Sequence, residues 1–400
     1  MQAMSSRTVK LGELCDVQIG RTPARDKNIY WGKGFPWLSI ADMNQGRYIC
    51  KTKEQITEEA VREAGCRLVE PNTVLLSFKL SIGKVSISKM PLYTNEAIAS
   101  LSFFEKEKVD TSYFYWVLQN IDLLKHVDKA GKGLTLNKKK LVEIDIPLPP
   151  LEQQRHIAAV LDAADTLRQK RRESLQKLDE LLKSVFLDMF GDPVTNPRGW
   201  EVVETDEVID DIVAGSSYGG EAKELEADEL GVLKISAVTT GRFLANEFKA
   251  VKISDVKHEL IKPRKGDLLF SRANTRELVG ATCIVDADYE HLFLPDKLWR
   301  IDFDNSRCNN WYFKFLLSDE KFKTELTKTA TGTSGSMLNI SMEKLRRLEI
   351  PLPPIELQNN FAQYVELQEM NRTKLESSLA HLETLFASLQ QQLFDTRTPS

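Results

Sequence analysis

Two hydrophobic patterns alternate along the chain. Between Pro150 and Gly191 there is no Gly or Pro, and apolar residues recur every three or four positions, the period of an amphipathic helix. Pro150 at a first helical position lacks an N–H that the helix does not need, and Glu152 sets an anion at the positive end of the macrodipole. The spacing predicts a helix from about Pro150 to Phe190, roughly 60 Å at ~1.5 Å per residue. A heptad with a at Ile157, Ala164, Arg171, Leu178 and Val185 puts Val160, Leu167 and Leu181 at d. Leu161, Leu175, Leu182 and Met189 widen the stripe at e. A second run near the C-terminus keeps this register, with Phe361, Leu375, Leu382 and Leu389 at a and Val365, Leu379, Phe386 and Leu393 at e. Two equally long amphipathic helices in one chain are natural partners. The residues expected to pack them are Ile157, Leu161, Leu175, Leu178, Leu182, Val185, Phe361, Val365, Leu379, Leu382, Phe386 and Leu389.

The stretch before each long helix reads differently. Short apolar or alternating runs such as Trp37–Ile40, Val74–Phe78, Lys84–Ile87, Asp267–Phe270 and Ala281–Val285 are strand-like and separated by Gly, Pro and Asn. Glu54–Ala64 and Asn310–Leu317 look helical. The two halves are copies: Ile146-Pro-Leu-Pro-Pro-Leu-Glu152 returns as Ile350-Pro-Leu-Pro-Pro-Ile-Glu356, 204 residues later, and that offset holds without a gap for about 45 residues. Earlier in each half the offset shortens, to 195 between Leu38-Ser39-Ile40 and Leu233-Lys234-Ile235 and to 198 between Tyr113 and Trp311. The scaffold repeats while the loops differ. The expected order is a mixed α+β globule at 1–147, a helix in 148–192, a second globule at 193–351 and a helix in 352–400, an α/β chain with internal pseudo-twofold repetition.

The hydrophobic share of 42% and charged share of 28% are those of a globular protein and exclude a wholly disordered chain. No membrane span or signal peptide is legible, and five cysteines without Cys-x-x-Cys spacing encode neither a disulfide framework nor a zinc knuckle, so a cytoplasmic location is expected. Net charge is −4 but unevenly placed: +5 over residues 1–150, −1 over 151–192, −5 over 193–354 and −3 over the rest. A bound polyanion would therefore be held by local basic loops.

Catalytic constellations are missing. Neither Gly131-Lys132-Gly133 nor Gly83-Lys84-Val85 has nucleotide-loop spacing, Gly215–Gly220 opens no helix as a dinucleotide fingerprint would, and the five histidines lack metal-ligand spacing. No metal, no cofactor and no enzymatic activity are expected of the chain itself. Binding chemistry is present instead. The loop Lys129–Lys140 is basic and loosened by glycine, with Lys132, Thr135, Asn137 and Lys138 suited to phosphate and base edges. Its counterpart at 329–339 offers hydroxyls and an amide, from Ser334, Ser336 and Asn339. Asn137 and Asn339 suit adenine, although an Asn before a helix also serves as a cap. Lys27, Tyr30, Trp31 and Lys33 combine cations with aromatics, and Arg272, Asn274 and Arg276 offer forked or amide donors.

These features together resemble the DNA-specificity subunit of type I restriction-modification systems. The resemblance rests on the duplicated Ile146–Gln154 and Ile350–Gln358 runs, each followed by a long helix, on Leu75–Lys79 with Ser81–Lys84, and on Gly266–Arg272; it spans residues 8–395. It implies two target-recognition domains, each reading half of a split, asymmetric sequence in double-stranded DNA, and two long helices packed antiparallel as a spacer. Lys79 joins the DNA-contacting candidates by the same route. It further implies two methyltransferase subunits docked on the spacer and restriction (motor-nuclease) subunits beyond them. S-adenosylmethionine, ATP and Mg would belong to those partners, with no membrane involved. A duplicated coiled-coil scaffold and a freestanding DNA-binding regulator are alternatives that the residues alone leave open.

Overall fold

The computed structural model describes residues 7–79, 81–126, 136–330 and 337–394. The chain divides into two units, Met1–Arg172 with Ser377–Ser400, and Glu173–Glu376, so the partition passes through both long helices.

In unit 1 the elements run β1 (Arg7–Lys10), α1 (Leu11–Leu14), β2 (Cys15–Ile19), β3 (Trp31–Leu38), β4 (Tyr48–Ile49), β5 (Glu54–Ile56), α2 (Glu58–Ala64), β6 (Val74–Ser77), β7 (Val85–Ser88), β8 (Tyr93–Thr94), β9 (Ile98–Phe103), α3 (Thr111–Asn120), α4 (Lys138–Val142), β10 (Asp145–Leu148) and the start of α5 (Leu151–Phe190). A five-stranded sheet is ordered β2-β9-β6-β7-β4, a three-stranded one β5-β3-β8, and β1 pairs with β10. The expectation of one helix over 54–64 is corrected. Glu54–Ile56 pairs antiparallel with β3, and Thr57 then caps α2 by accepting a hydrogen bond from the Ala60 N–H. A cap residue followed by two glutamates starts the helix late and leaves the preceding apolar position for the sheet.

Unit 2 repeats the plan: β11 (Glu201–Glu204), β12 (Ile209–Ala214), β13 (Glu229–Leu233), β14 (Phe248–Lys252), β15 (Leu268–Ser271), β16 (Ala273–Asn274), β17 (Thr282–Ile284), β18 (Leu292–Phe293), β19 (Leu298–Phe303), α6 (Asn310–Ser318), α7 (Glu320–Thr329), β20 (Leu338–Asn339), α8 (Met342–Arg346), β21 (Glu349–Leu352) and α9 (Ile355–Phe394). Its sheets are β12-β19-β15-β17, β14-β13-β18, β16-β20 and β11-β21.

The repeated proline motif now has a physical account. Ile146 pairs with Val9 and Ile350 with Val203 in matching two-stranded registers, and both isoleucines are buried. The prolines tolerate these strands because a two-stranded ribbon leaves an edge without ladder bonds. Tyr113 donates its hydroxyl to the Pro147 carbonyl, and Tyr312 to that of Pro351. The motif's glutamines are buried pins. Gln154 accepts from the Asp110 N–H and donates to the carbonyls of Lys108 and Pro149; Gln358 accepts from Asn309 and donates to Arg307 and Pro353. One carboxamide in each copy thus ties the first turn of the long helix to the loop before α3 or α6.

Within each unit the helix segments run antiparallel. In unit 1, Ile157, Ala158 and Leu161 share a core with Phe386, flanked by Ala164, Leu389 and Leu393, and Arg172 pairs with Glu383 at 2.6 Å. In unit 2, Leu182, Phe186 and Phe190 pack with Phe361 and Val365, beside Val185 and Met189, and Arg372 pairs with Asp179. Leu178 is buried, and Leu175, Leu379 and Leu382 are half-buried. The d positions are a correction, because Leu167 is 55% and Leu181 45% exposed. The seam uses a and e, which alternate by four and three residues as a and d do but lie on a rotated face. Phe186 and Phe190, outside the expected stripe, complete it.

Candidate nucleic-acid interface

A constant frame recurs beyond the strands β2 and β12. The Arg21 N–H donates to the Thr94 carbonyl at 2.8 Å, and the Ser216 N–H to that of Leu294 at 3.0 Å. A Cβ on Gly20 or Gly215 would overlap those same carbonyl oxygens, so both turns demand glycine. Two residues on, the Thr22 hydroxyl donates to the Glu96 carboxylate and the Ser217 hydroxyl to that of Asp296. Sequence reasoning missed these four side chains. Their signal is Gly-x-Thr and Gly-x-Ser at the 195-residue offset already set by Leu38 and Leu233.

Beside this frame, Phe78 and Arg272 occupy equivalent positions. The Phe78 N–H donates to Ala97 and its carbonyl accepts from Leu136; the Arg272 N–H donates to Lys297 and its carbonyl accepts from Ile340. The Phe78 side chain is buried, whereas that of Arg272 is 29% exposed. Identical backbone bonds therefore present different side chains in the two units.

In unit 1, Tyr30 is buried rather than presented. Its hydroxyl donates to Glu63 at 2.7 Å and accepts from the Lys27 ammonium at 2.9 Å. Trp31 is half-buried, donates to the Ala24 carbonyl and lies under the Arg25 guanidinium at 3.8 Å, while Arg25 also pairs with Glu54. Exposed Lys33 lines a shallow hollow with Trp31, Lys53 and Gln55. The structure thus gathers Lys27, Tyr30, Trp31 and Lys33 at the start of β3, the central strand of the three-stranded sheet. Lys79 follows β6, its ammonium 5.4 Å from the Phe78 ring centre. Asn137 caps α4 by accepting from the Lys140 N–H, and exposed Lys138 lies 4.0 Å from Asp16.

In unit 2, Arg272 and Asn339 are brought together, with the Arg272 Nη1 3.5 Å from the amide oxygen. Asn274 sits on β16, which pairs with the strand carrying Asn339, and accepts from the Thr275 N–H. Arg276 is exposed. Asn339 is not the cap of α8; Ser341, 204 residues from Asn137, fills that place by accepting from the Lys344 N–H. Burial alone would push the Asp296 carboxyl up, but hydrogen bonds from Ser217 and Arg272 prevail and hold it below its ordinary value. Lys132, Thr135, Ser334 and Ser336 lie outside the described residues.

Among the described residues no group of three or more His, Cys, Asp or Glu could hold a metal ion, and no helix is long and apolar enough to cross a membrane. What the two faces offer is cations, amides and hydroxyls on a fixed frame, the groups that contact phosphates and base edges.

The description of the type I restriction modification DNA specificity domain matches residues 5–177 and again 197–377. The chain belongs to that family. Like it is the type I restriction enzyme MjaIX specificity subunit of Methanocaldococcus jannaschii, 26% identical over 372 residues, covering 86% of this chain and 83% of the relative. The EcoR124I/EcoR124II specificity subunit of Escherichia coli is 31% identical over 180 residues, covering 43% and 44%. Among solved structures, the type I S subunit from M. genitalium shares the fold with a TM-score of 0.60 at 12% identity, covering 100% of this chain and 98% of that one. The duplicated specificity domain thus accounts for the 204-residue repeat, and this type I specificity subunit carries one copy in each half.

Proposed function

We propose that each unit reads one half of a bipartite, asymmetric target in double-stranded DNA, and that α5 and α9 set the gap and dock two methyltransferase subunits. A restriction subunit would join these. S-adenosylmethionine, ATP and Mg would serve the partners, leaving the chain itself non-catalytic and cytoplasmic. The observation that carries this reading is the constant frame with divergent occupants. Thr22–Glu96 and Ser217–Asp296 are equivalent, while Phe78 and Arg272 stand in one backbone position with unlike chemistry. Two copies of one reader with different side chains give an asymmetric recognition sequence.

Exchange of a globule is the test. Residues 8–145 are replaced by the equivalent segment of a relative, the chain is assembled with its methyltransferase subunits, and the methylated sites are sequenced. The expected result is one altered half-site with the other half-site and the gap retained. Alteration of both halves, or a gap that varies while the helices are untouched, overturns the picture of two independent readers. A scaffold without DNA contacts would give no defined methylated site in either protein.

A further inference from the structure

We propose that Arg272, braced by Asp296, reads a guanine in the half-site bound by unit 2. The inference rests on the DNA-reading function above and names the base and the device. The Arg272 Nε donates to the Asp296 backbone carbonyl at 2.9 Å, Nη2 to its carboxylate at 3.1 Å, and Nη1 lies 3.5 Å from the Asn339 amide oxygen. These contacts take the Nε–Nη2 edge and one proton of Nη1. Among the described residues no other hydrogen bond meets the planar guanidinium, which is left with one N–H on each terminal nitrogen, two parallel donors along the outer edge. That pair matches the O6 and N7 acceptors of guanine in the major groove.

Charge within the pair argues for a base over a phosphate. Asp296 offsets the guanidinium, and the local cation left over is that of neighbouring Lys297, which suits a phosphate better than the paired Arg272 does. Two directed donors remain and favour a target with two acceptors in one plane. The brace is itself held. Ser217 donates to the Asp296 carboxylate from the turn that Gly215 permits, and Arg272 is fixed at both backbone groups by Lys297 and Ile340. An arginine already ordered before binding loses less side-chain freedom when it meets the base. Asp296 and Ser217 are positioning residues in this account. Unit 1 keeps the carboxylate and the hydroxyl, as Glu96 and Thr22, but has buried Phe78 where unit 2 has the arginine, so the guanine reader belongs to one half only.

The experiment uses the full chain assembled with its methyltransferase subunits to retain duplexes from a randomised pool, which are then sequenced. For the wild type, a guanine is expected within the half-site assigned to unit 2 by the globule exchange. Arg272→Ala should flatten that one position and weaken the wild-type sequence about 5- to 150-fold, leaving the other half-site intact, which also reports that the chain has folded. Arg272→Lys keeps the charge but not the parallel donors and should flatten the same position. Asp296→Asn should relax it to a lesser degree. The inference is overturned if Arg272→Ala and Arg272→Lys still select the guanine, if both half-sites are lost together, or if all duplexes weaken alike with the motif unchanged. A wild-type complex that enriches no motif removes the DNA-reading function, and this inference with it.

Discussion

Where unit 2 fills its helix seam with Phe186, Phe190 and Phe361 against Phe315 and Tyr312, unit 1 sets Ile157, Ala158 and Leu161 against Phe386 and Trp116. At the 204-residue offset Ile157 stands for Phe361, Leu182 for Phe386 and Gln390 for Phe186. The bonds that fix the backbone do not change: Gln154 and Gln358, Tyr113 and Tyr312 make the same contacts in both. Interiors accept hydrophobic exchange when volume is conserved across the contact, but a buried carboxamide with three partners has no such substitute.

The largest expected effect is a charge placed in either seam. Leu161→Asp in unit 1 or Leu182→Asp in unit 2 would bury a carboxylate with no partner at a site that is fully closed to solvent, at a cost of several kcal/mol. Each unit should lose its cooperative melt in its own variant, as seen by thermal denaturation with limited proteolysis. A wild-type melt for either would mean that the seam is elsewhere. The next effect grades the comparison: Phe361→Ala removes a ring packed against three other aromatics and should cost about 3–5 kcal/mol, against about 2–5 for Ile157→Ala. Denaturant midpoints should rank them in that order.

Much of this architecture was legible in the sequence, for reasons tied to particular residues. The long helices announce themselves because forty residues without Gly or Pro sustain one period, and the repeat fixes their kinship. The a and e positions read from the sequence do pack, whereas Leu167 and Leu181 at d are as apolar as Leu161 and Leu182 yet exposed; periodicity shows that a stripe exists, but its width is decided by the neighbours. The candidate site was less legible. Arg272 and Asn339 were visible as donors, but Asp296 lies 24 residues from Arg272, and no local pattern tells that a carboxylate so far along the chain closes on it. Tyr30 is a DNA-contact candidate by its place between Lys27 and Lys33, yet its hydroxyl is bound to Glu63 and its ring is buried.

A smaller difference separates two arginine struts at the 195-residue offset. Arg47 pairs with Asp162 of α5 and lies over the Tyr115 ring, with only 10% of its side chain exposed. Arg242 pairs with Glu369 and Glu376 of α9 but is 41% exposed. Arg47→Ala leaves the half-buried Asp162 with the Trp116 N–H as a remaining partner and should cost about 1–3 kcal/mol. Solvent screens the Arg242 pairs, so Arg242→Ala should cost under about 1 kcal/mol. Equal losses in urea denaturation would show that the two struts are not graded by burial.

The smallest effect concerns the short helix before each proline motif. In unit 1, α4 opens Lys138-Lys139-Lys140, and at the 204-residue offset α8 opens Met342-Glu343-Lys344. Lys138 opens the helix, where a cation opposes the macrodipole, whereas Lys139 and Lys140 also fall in the last turn of this five-residue helix. Exposed Lys138 and Lys139 suit phosphate contact, which positions a reader without reading sequence. The double substitution Lys138→Ala and Lys139→Ala should therefore weaken binding to every duplex alike, reduce the salt slope by about two phosphate equivalents and leave the selected motif unchanged. Mutating Glu343 in α8 to Lys should steepen the slope by about one. An unchanged salt dependence in the double variant would mean that these lysines do not contact phosphate, and that the positive charge of the first half acts through other residues.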